Sequence, residues 1–181
     1  HDGKLVAAEV EAYIRDFYAD ENWPHMVKPG MVYISHPTEY GTLYTAEELK
    51  ALSAVCKQYH IPLFLDGARL GYGLMSRDTD VTPALLSELC DVFYIGGTKV
   101  GALFGEAVVI GNPALKEDFR YLIKQRGGML AKGRLLGVQF DALFTDDLYF
   151  KISAHANALA DRIREKLENL AAELGIAEKV H

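Results

Sequence analysis

The sequence has little of several features that would assign a chain quickly to a class. Only two of its 181 residues are cysteines, Cys56 and Cys90, and both lie in predicted buried elements, so we expect free thiols of a reducing compartment. No apolar run reaches the roughly 18 residues that a membrane helix needs, and no secretory signal is recognisable. The formal net charge is -6 and the lysines and arginines form no stripe, which disfavours nucleic acid as a partner. We therefore expect a cytoplasmic protein that has neither a membrane nor a nucleic acid as a partner.

Several ligand-binding motifs are also missing. His25, His36 and His60 do not have the spacing of a metal site, so we expect no metal. The stretch Gly96-Gly97-Thr98-Lys99 lacks the earlier glycine and the following Ser or Thr of a P-loop, and Gly67–Gly73 does not spell the dinucleotide fingerprint. Nucleotide binding through either motif is therefore not predicted.

The hydrophobic residues, half of the chain, alternate between helical and strand spacing. A Thr45/Glu48 capping box opens one helix, and Pro83 opens another. The predicted helices cover residues 5–19, 45–59, 83–89, 114–124, 130–144 and 148–174. The predicted strands cover residues 31–35, 63–66, 91–95 and 107–110.

The order of these elements predicts the topology of the sheet. Helices separate the first three strands, so these should be parallel, whereas the link to the fourth strand is too short for a crossover helix and predicts an antiparallel pair. The fold class expected is α/β, a three-layer sandwich with a mostly parallel sheet.

Polar residues follow three of the predicted strands. Ser35-His36-Pro37-Thr38, Asp66-Gly67-Ala68-Arg69 and Gly96-Gly97-Thr98-Lys99 should converge on one crevice, because ligands of parallel sheets bind outside the carboxyl ends of the strands. Each residue also has a plain structural reading: Asp66 as a turn cap, Arg69 as its partner or a solvated cation, Lys99 as a solvated amine, and His36 as a hydrogen-bonding residue. Functionally, His36 would be a catalytic or stacking ring.

The glycines around Lys99 favour the functional reading, because they let a flat ligand approach the backbone. A lysine and an aspartate at neighbouring strand ends are what a pyridoxal 5'-phosphate (PLP) enzyme needs. The lysine forms a Schiff base with the cofactor, and the aspartate keeps the pyridine nitrogen protonated. The planar guanidinium of Arg69 would suit a carboxylate or a phenolate oxygen.

The Asp66–Arg69 stretch followed by Gly96-Gly97-Thr98-Lys99 and the residues up to Ala107 resembles the low-specificity threonine aldolase / β-eliminating lyase family. These are PLP enzymes of fold type I, with an aspartate aminotransferase-like large domain. The resemblance covers nearly the whole chain. It implies that Lys99 binds PLP covalently, that Asp66 pairs with the pyridine nitrogen, that Arg69 meets the phenolic oxygen or the substrate carboxylate, and that Thr98 contacts the cofactor.

Family chains are considerably longer than this one. The resemblance implies that residues 1–145 are the central part of the PLP-binding large domain and that residues 146–181 are a long helix leading towards a small domain. The family's phosphate-binding turn and the histidine that stacks on the cofactor ring have no match here, although His36 is kept as a cofactor-binding candidate.

The function that the resemblance implies is cleavage of β-hydroxy-α-amino acids such as threonine to glycine and an aldehyde. The partners expected are a small amino acid substrate and further copies of the chain, in a homodimer or homotetramer. The alternatives are another fold-type-I enzyme (a phenylserine-type aldolase, a β-eliminating lyase or an aminotransferase) and a non-catalytic fragment that lacks the phosphate site.

Overall fold

A computed structural model describes residues 2–175 of the chain. Its four strands form one sheet in the order β1 (Val32–Ser35), β2 (Leu63–Asp66), β3 (Val92–Gly96) and β4 (Glu106–Ile110). The first three strands are parallel and β4 runs antiparallel to β3. The mixed α/β class and the mostly parallel sheet are therefore confirmed.

The described part of the chain has seven α-helices. They are α1 (Ala7–Ala19), α2 (Ala46–Gln58), α3 (Leu70–Leu74), α4 (Pro83–Leu89), α5 (Phe119–Gln125), α6 (Arg134–Phe144) and α7 (Leu148–Glu173). The predicted capping box is present in α2: the Thr45 hydroxyl accepts from the Glu48 amide at 3.2 Å, and the Glu48 carboxylate accepts from the Thr45 amide at 2.8 Å.

The main core lies on one face of the sheet. Alternate strand residues point to this face and pack against apolar side chains of α1, α2, α3 and α4. The fully buried members include Leu49, Leu52, Leu63, Leu65 and Leu86. Cys56 and Cys90 are buried free thiols, and burial raises the pKa of Cys56 to about 11, so these cysteines are part of the packing as predicted.

The opposite face of the sheet carries a row of three aromatic rings across β1, β2 and β3. Tyr33 stacks on Phe64 with ring centroids 5.3 Å apart and planes 8° apart, and Phe64 meets Tyr94 at 6.2 Å. Tyr33 is 48% exposed. These rings point towards the same side of the sheet as Asp66, because side chains two residues apart in a strand share a face.

The long helix α7 is joined to the sheet at its amino-terminal end. The Tyr149 hydroxyl accepts from the Gly71 amide at 3.1 Å and donates to the Gly96 carbonyl at 3.0 Å. Tyr149 also belongs to a second small core with Val100, Ala102 and Leu143. The first turns of α7 therefore tie α3 to the end of β3.

The predicted helices differ from the structure most clearly in three places. α3 was not predicted, because its glycines at Gly71 and Gly73 read as a loop. The predicted helix 114–124 is divided, because Asp118 takes the left-handed conformation at φ 53° and interrupts it before α5. α6 begins at Arg134 rather than at residue 130. Residues 176–181, the end of the predicted 146–181 segment, lie outside the described residues, as does residue 1.

Within residues 2–175, no helix is both long and apolar enough to cross a membrane.

Candidate active site

The carboxyl ends of β2 and β3 lie against each other at the edge of the sheet. The Gly96 amide donates to the Gly67 carbonyl at 2.9 Å. A Cβ atom on Gly67 would lie 1.9 Å from the Tyr94 carbonyl oxygen, and one on Gly96 would lie 2.4 Å from the Ala68 carbonyl oxygen. Only glycine allows this approach, which brings the loop after Asp66 close to the loop that holds Lys99.

Asp66 is half-buried, and several donors meet its carboxylate. Oδ1 accepts from the Ala68 amide at 3.0 Å, and Oδ2 accepts from the Tyr33 hydroxyl. Burial alone would raise the pKa of Asp66, but hydrogen bonds from Tyr33, Tyr94 and Ala68, with the positive charge of Lys99, lower it below its ordinary value. Asp66 is therefore a preformed anion at the sheet edge.

Lys99 and Thr98 lie in an exposed turn directly after β3. The Gly97 carbonyl closes this turn by accepting from the amides of Val100 at 2.9 Å and Ala102 at 3.0 Å. The Tyr72 hydroxyl donates to the Lys99 carbonyl. The structure thus holds the turn by its backbone and leaves the lysine side chain exposed, and its charge acts on Asp66.

Arg69 turns away from Asp66. Its Nη1 lies 3.3 Å from both carboxylate oxygens of Glu39, in the turn after β1. The two side chains are 40% and 71% exposed, so this ion pair is easily opened. Both residues line a cavity of about 890 Å³ together with Tyr72 and Asp161. Sequence reasoning had offered Asp66 or solvent as the alternatives to a ligand for Arg69, and the structure gives Glu39 instead.

The His36 amide donates to the Asp66 carbonyl at 2.9 Å, but the His36 ring points to the opposite face of the sheet from the Asp66 carboxylate. His36 is completely buried, because it continues the alternation of Val32 and Ile34 towards the core face. Its Nδ1 accepts from the Tyr44 amide at 3.3 Å, and its Nε2 has no hydrogen-bond partner. Burial lowers the pKa of His36 to about 4, against a smaller opposing effect of Asp80. The structural interpretation, a hydrogen-bonding residue, agrees with the bond at Nδ1 but not with the unpaired Nε2.

Sequence reasoning missed the tyrosines around the site. The Tyr33 hydroxyl bonds to Asp66, and the Tyr94 hydroxyl lowers the pKa of that residue. The Tyr72 and Tyr149 hydroxyls donate to the carbonyls of Lys99 and Gly96. Tyr33 had a readable signal, because a residue two positions before Ser35 must share the face of that strand end. Tyr149 had none, since it lies 53 residues beyond Gly96.

Among residues 2–175, no group of three or more His, Cys, Asp or Glu side chains is arranged to hold a metal ion.

Comparison with known proteins gives consistent matches to one family. The sequence model described as "Beta-eliminating lyase" matches residues 1–179. The low specificity L-threonine aldolases of Pseudomonas aeruginosa and of Pseudomonas sp. are each 37% identical to this chain, over 170 and 174 residues. These matches cover 90% and 95% of this chain but 49% and 47% of the two relatives, so the chain spans about half the length of the curated relatives it matches.

A solved structure agrees with this assignment. Threonine aldolase from Leishmania major is 49% identical and similar at a TM-score of 0.86, over 93% of this chain and 48% of that one. Threonine aldolases and β-eliminating lyases depend on PLP, the cofactor that the residues Lys99 and Asp66 had indicated. The match of the family model to nearly every residue and the likeness of the fold lead to one conclusion. The chain belongs to the beta-eliminating lyase family.

Proposed function

We propose that this chain forms the PLP-binding part of a lyase that cleaves β-hydroxy-α-amino acids such as threonine to glycine and an aldehyde. The observation that carries the proposal is that an ionised carboxylate, Asp66, and an exposed amine, Lys99, lie at adjacent ends of parallel strands, where the charge of the amine acts on the carboxylate. The threonine aldolases similar to this chain support the choice of reaction.

The chemistry of these side chains fits PLP. Asp66, whose pKa lies below its ordinary value, can accept a hydrogen bond from a protonated pyridine nitrogen and keep the proton there. The exposed Lys99 can bond covalently to an aldehyde. When bound, PLP draws electrons from the bonds at the substrate's α-carbon. Asp66 would sustain that pull by keeping the pyridine nitrogen protonated and the ring cationic.

The remaining site residues have supporting roles in this proposal. Arg69 binds the substrate carboxylate or the phenolic oxygen of the cofactor once its exposed pairing with Glu39 opens. Thr98 precedes Lys99 in the same turn and contacts the cofactor. His36 has no part, because its ring lies in the core.

A β-elimination is the second candidate function, because the matching family model carries that description. Both reactions use Lys99 and Asp66 in the same way. An assay of the chain with threonine and with a β-substituted amino acid separates the two.

We further propose that residues 1–145 are the central part of the large domain and that residues 146–181 lead towards a small domain. We propose an amino acid as substrate, a homodimer or homotetramer as the assembly, and the cytoplasm as the location. The two buried free thiols support a reducing location.

Substitution of Lys99 tests the central proposal. The wild-type chain mixed with PLP should turn yellow and bleach with borohydride, whereas Lys99→Ala should lose the visible band of lysine-bound PLP completely, because no other amine is proposed to bond to the cofactor. Lys50→Ala, which removes an exposed lysine on α2, should keep the band. A colourless wild-type chain, or a band that survives in Lys99→Ala, would contradict the proposal.

A further inference from the structure

The row of three aromatic rings lies on the face of the sheet opposite the main core, and the hydroxyl groups of its two tyrosines act on Asp66. Tyr33 lies on β1 and donates to Oδ2. Tyr94 lies on β3, and its hydroxyl lowers the pKa of the same carboxylate. Asp66 is at the end of β2, between these two strands, so tyrosines from both neighbouring strands act on one carboxylate.

Packing of the rings fixes where the hydroxyls point. Phe64, two residues before Asp66, lies between Tyr33 and Tyr94, in near-parallel stacking at 5.3 Å with the first and tilted at 6.2 Å from the second. The pairing of Tyr33 with Phe64 and of Ser35 with Asp66 in the sheet sets this arrangement. A tyrosine whose ring is stacked loses little further freedom when its hydroxyl forms a hydrogen bond.

We propose that Tyr33 and Tyr94 are positioning residues that hold the carboxylate of Asp66 ionised and oriented towards the pyridine nitrogen of PLP. This inference rests on the proposed function for the identity of the ligand. The holding of the carboxylate itself depends only on contacts within this chain.

The number of donors leaves room for the cofactor. A carboxylate has about four acceptor positions, and the Ala68 amide and the Tyr33 hydroxyl occupy two of them. Acceptor positions therefore remain for a pyridinium N–H. These donors and the Tyr94 hydroxyl also oppose burial, which by itself would protonate the acid.

The tyrosines stay protonated under all ordinary conditions. The hydrogen bond to Asp66, with burial, raises the pKa of Tyr33 to about 12, and burial with the same hydrogen bond raises that of Tyr94 further. The other charged groups that act on this cluster are Lys99, Glu39 and Glu106. Lys99 favours the ionised form of Asp66, and the two glutamates act on the tyrosines.

The test is a carboxyl titration of the chain without cofactor. In protein labelled with ¹³C at aspartate carboxyls, Asp66→Asn identifies the Asp66 signal. Tyr33→Phe and Tyr94→Phe, which keep the rings, should each raise the pKa of Asp66, and the double variant should raise it further, because each removes a hydroxyl that favours the charged form. Tyr121→Phe, at a tyrosine that is 74% exposed on α5, should leave it unchanged.

An Asp66 pKa that stays the same in the double variant, with the fold intact by urea denaturation, would overturn the proposal.

A second measurement uses the chain loaded with PLP. The Tyr33→Phe chain should keep the visible band that Lys99→Ala loses. The pH midpoint of the change in that band should differ between Tyr33→Phe and the wild type. If the chain binds no PLP, the proposed function fails, yet the carboxyl titration still decides whether the tyrosines hold Asp66. If Tyr33→Phe instead binds PLP more tightly, with an unchanged Asp66 pKa, the Tyr33 hydroxyl competes with the cofactor and the positioning role is wrong.

Discussion

Gly67→Ala should lower the free energy of unfolding by more than about 4 kcal/mol, enough to leave much of the chain unfolded. The added methyl group would lie 1.9 Å from the Tyr94 carbonyl oxygen and 3.1 Å from Cβ of Leu70. The first of these neighbours is backbone of the adjacent strand and cannot rotate away. Relief therefore requires β2 and β3 to separate at the hydrogen bond between Gly96 and Gly67.

The matched control is Gly137→Ala in α6, where an added Cβ has nothing within 4 Å. Because alanine favours helix over glycine, this variant should gain about 0.5–1 kcal/mol. Urea denaturation followed by circular dichroism measures both. A Gly67→Ala protein as stable as the wild type would mean that the two strand ends do not approach as closely as described.

His36→Asn should remove much of the sensitivity of the chain to mild acid. The wild-type ring is completely buried, and its pKa falls from 6.5 to about 4 on folding. Between these values the unfolded chain binds a proton that the folded chain excludes, so stability falls as the pH drops. The free energy of unfolding is then lower by about 3 kcal/mol when the pH reaches 4.

Asparagine keeps an acceptor for the Tyr44 amide but does not titrate. The measurement is urea denaturation of both proteins at several values between pH 7 and pH 4. Asp66 and Glu48 have lowered pKa values, so their contributions to the free energy of unfolding also decline in acid. They decline equally in both proteins. The variant starts less stable at pH 7, because the smaller side chain leaves a cavity, and the two curves should converge in acid. Stability curves that stay parallel between pH 7 and pH 4 would contradict the assignment of this acid sensitivity to His36.

The sequence predicted best the elements with strong local signals. The Thr45 cap, Pro83 and the run ending at Asp66 gave α2, α4 and β2 almost to the residue. α3 was missed, because its glycines lower helix propensity and its stability comes from long-range contacts, among them the hydroxyl of Tyr149 on the Gly71 amide. Tertiary contacts of this kind leave no trace in a local window.

The candidate site was predictable in part for the same reason. Asp66 ends β2 and Lys99 lies just after β3, two strands that the sequence predicted to be parallel, and the charge of Lys99 does act on Asp66. The partners of Asp66 and Arg69 could not be deduced, because they depend on the register of β1 against β2 and on the path of the turn at Glu39. The inward position of His36 was readable from alternation along β1, but its place at a strand end suggested the crevice instead.

Helix α7 has 26 residues and therefore extends for about 39 Å at 1.5 Å per residue. Its buried residues, Tyr149 and Ser153, both lie near its beginning, where the Tyr149 hydroxyl is bonded to the carbonyl of Gly96, three residues before Lys99. Further along the same helix, the Asn157 side-chain amide donates to the Tyr72 carbonyl at 2.9 Å, and Asp161 forms an ion pair with Arg77. Because the Tyr72 hydroxyl bonds to the Lys99 carbonyl, a displacement of α7 would be transmitted to the Lys99 turn through Tyr72 as well as through Gly96.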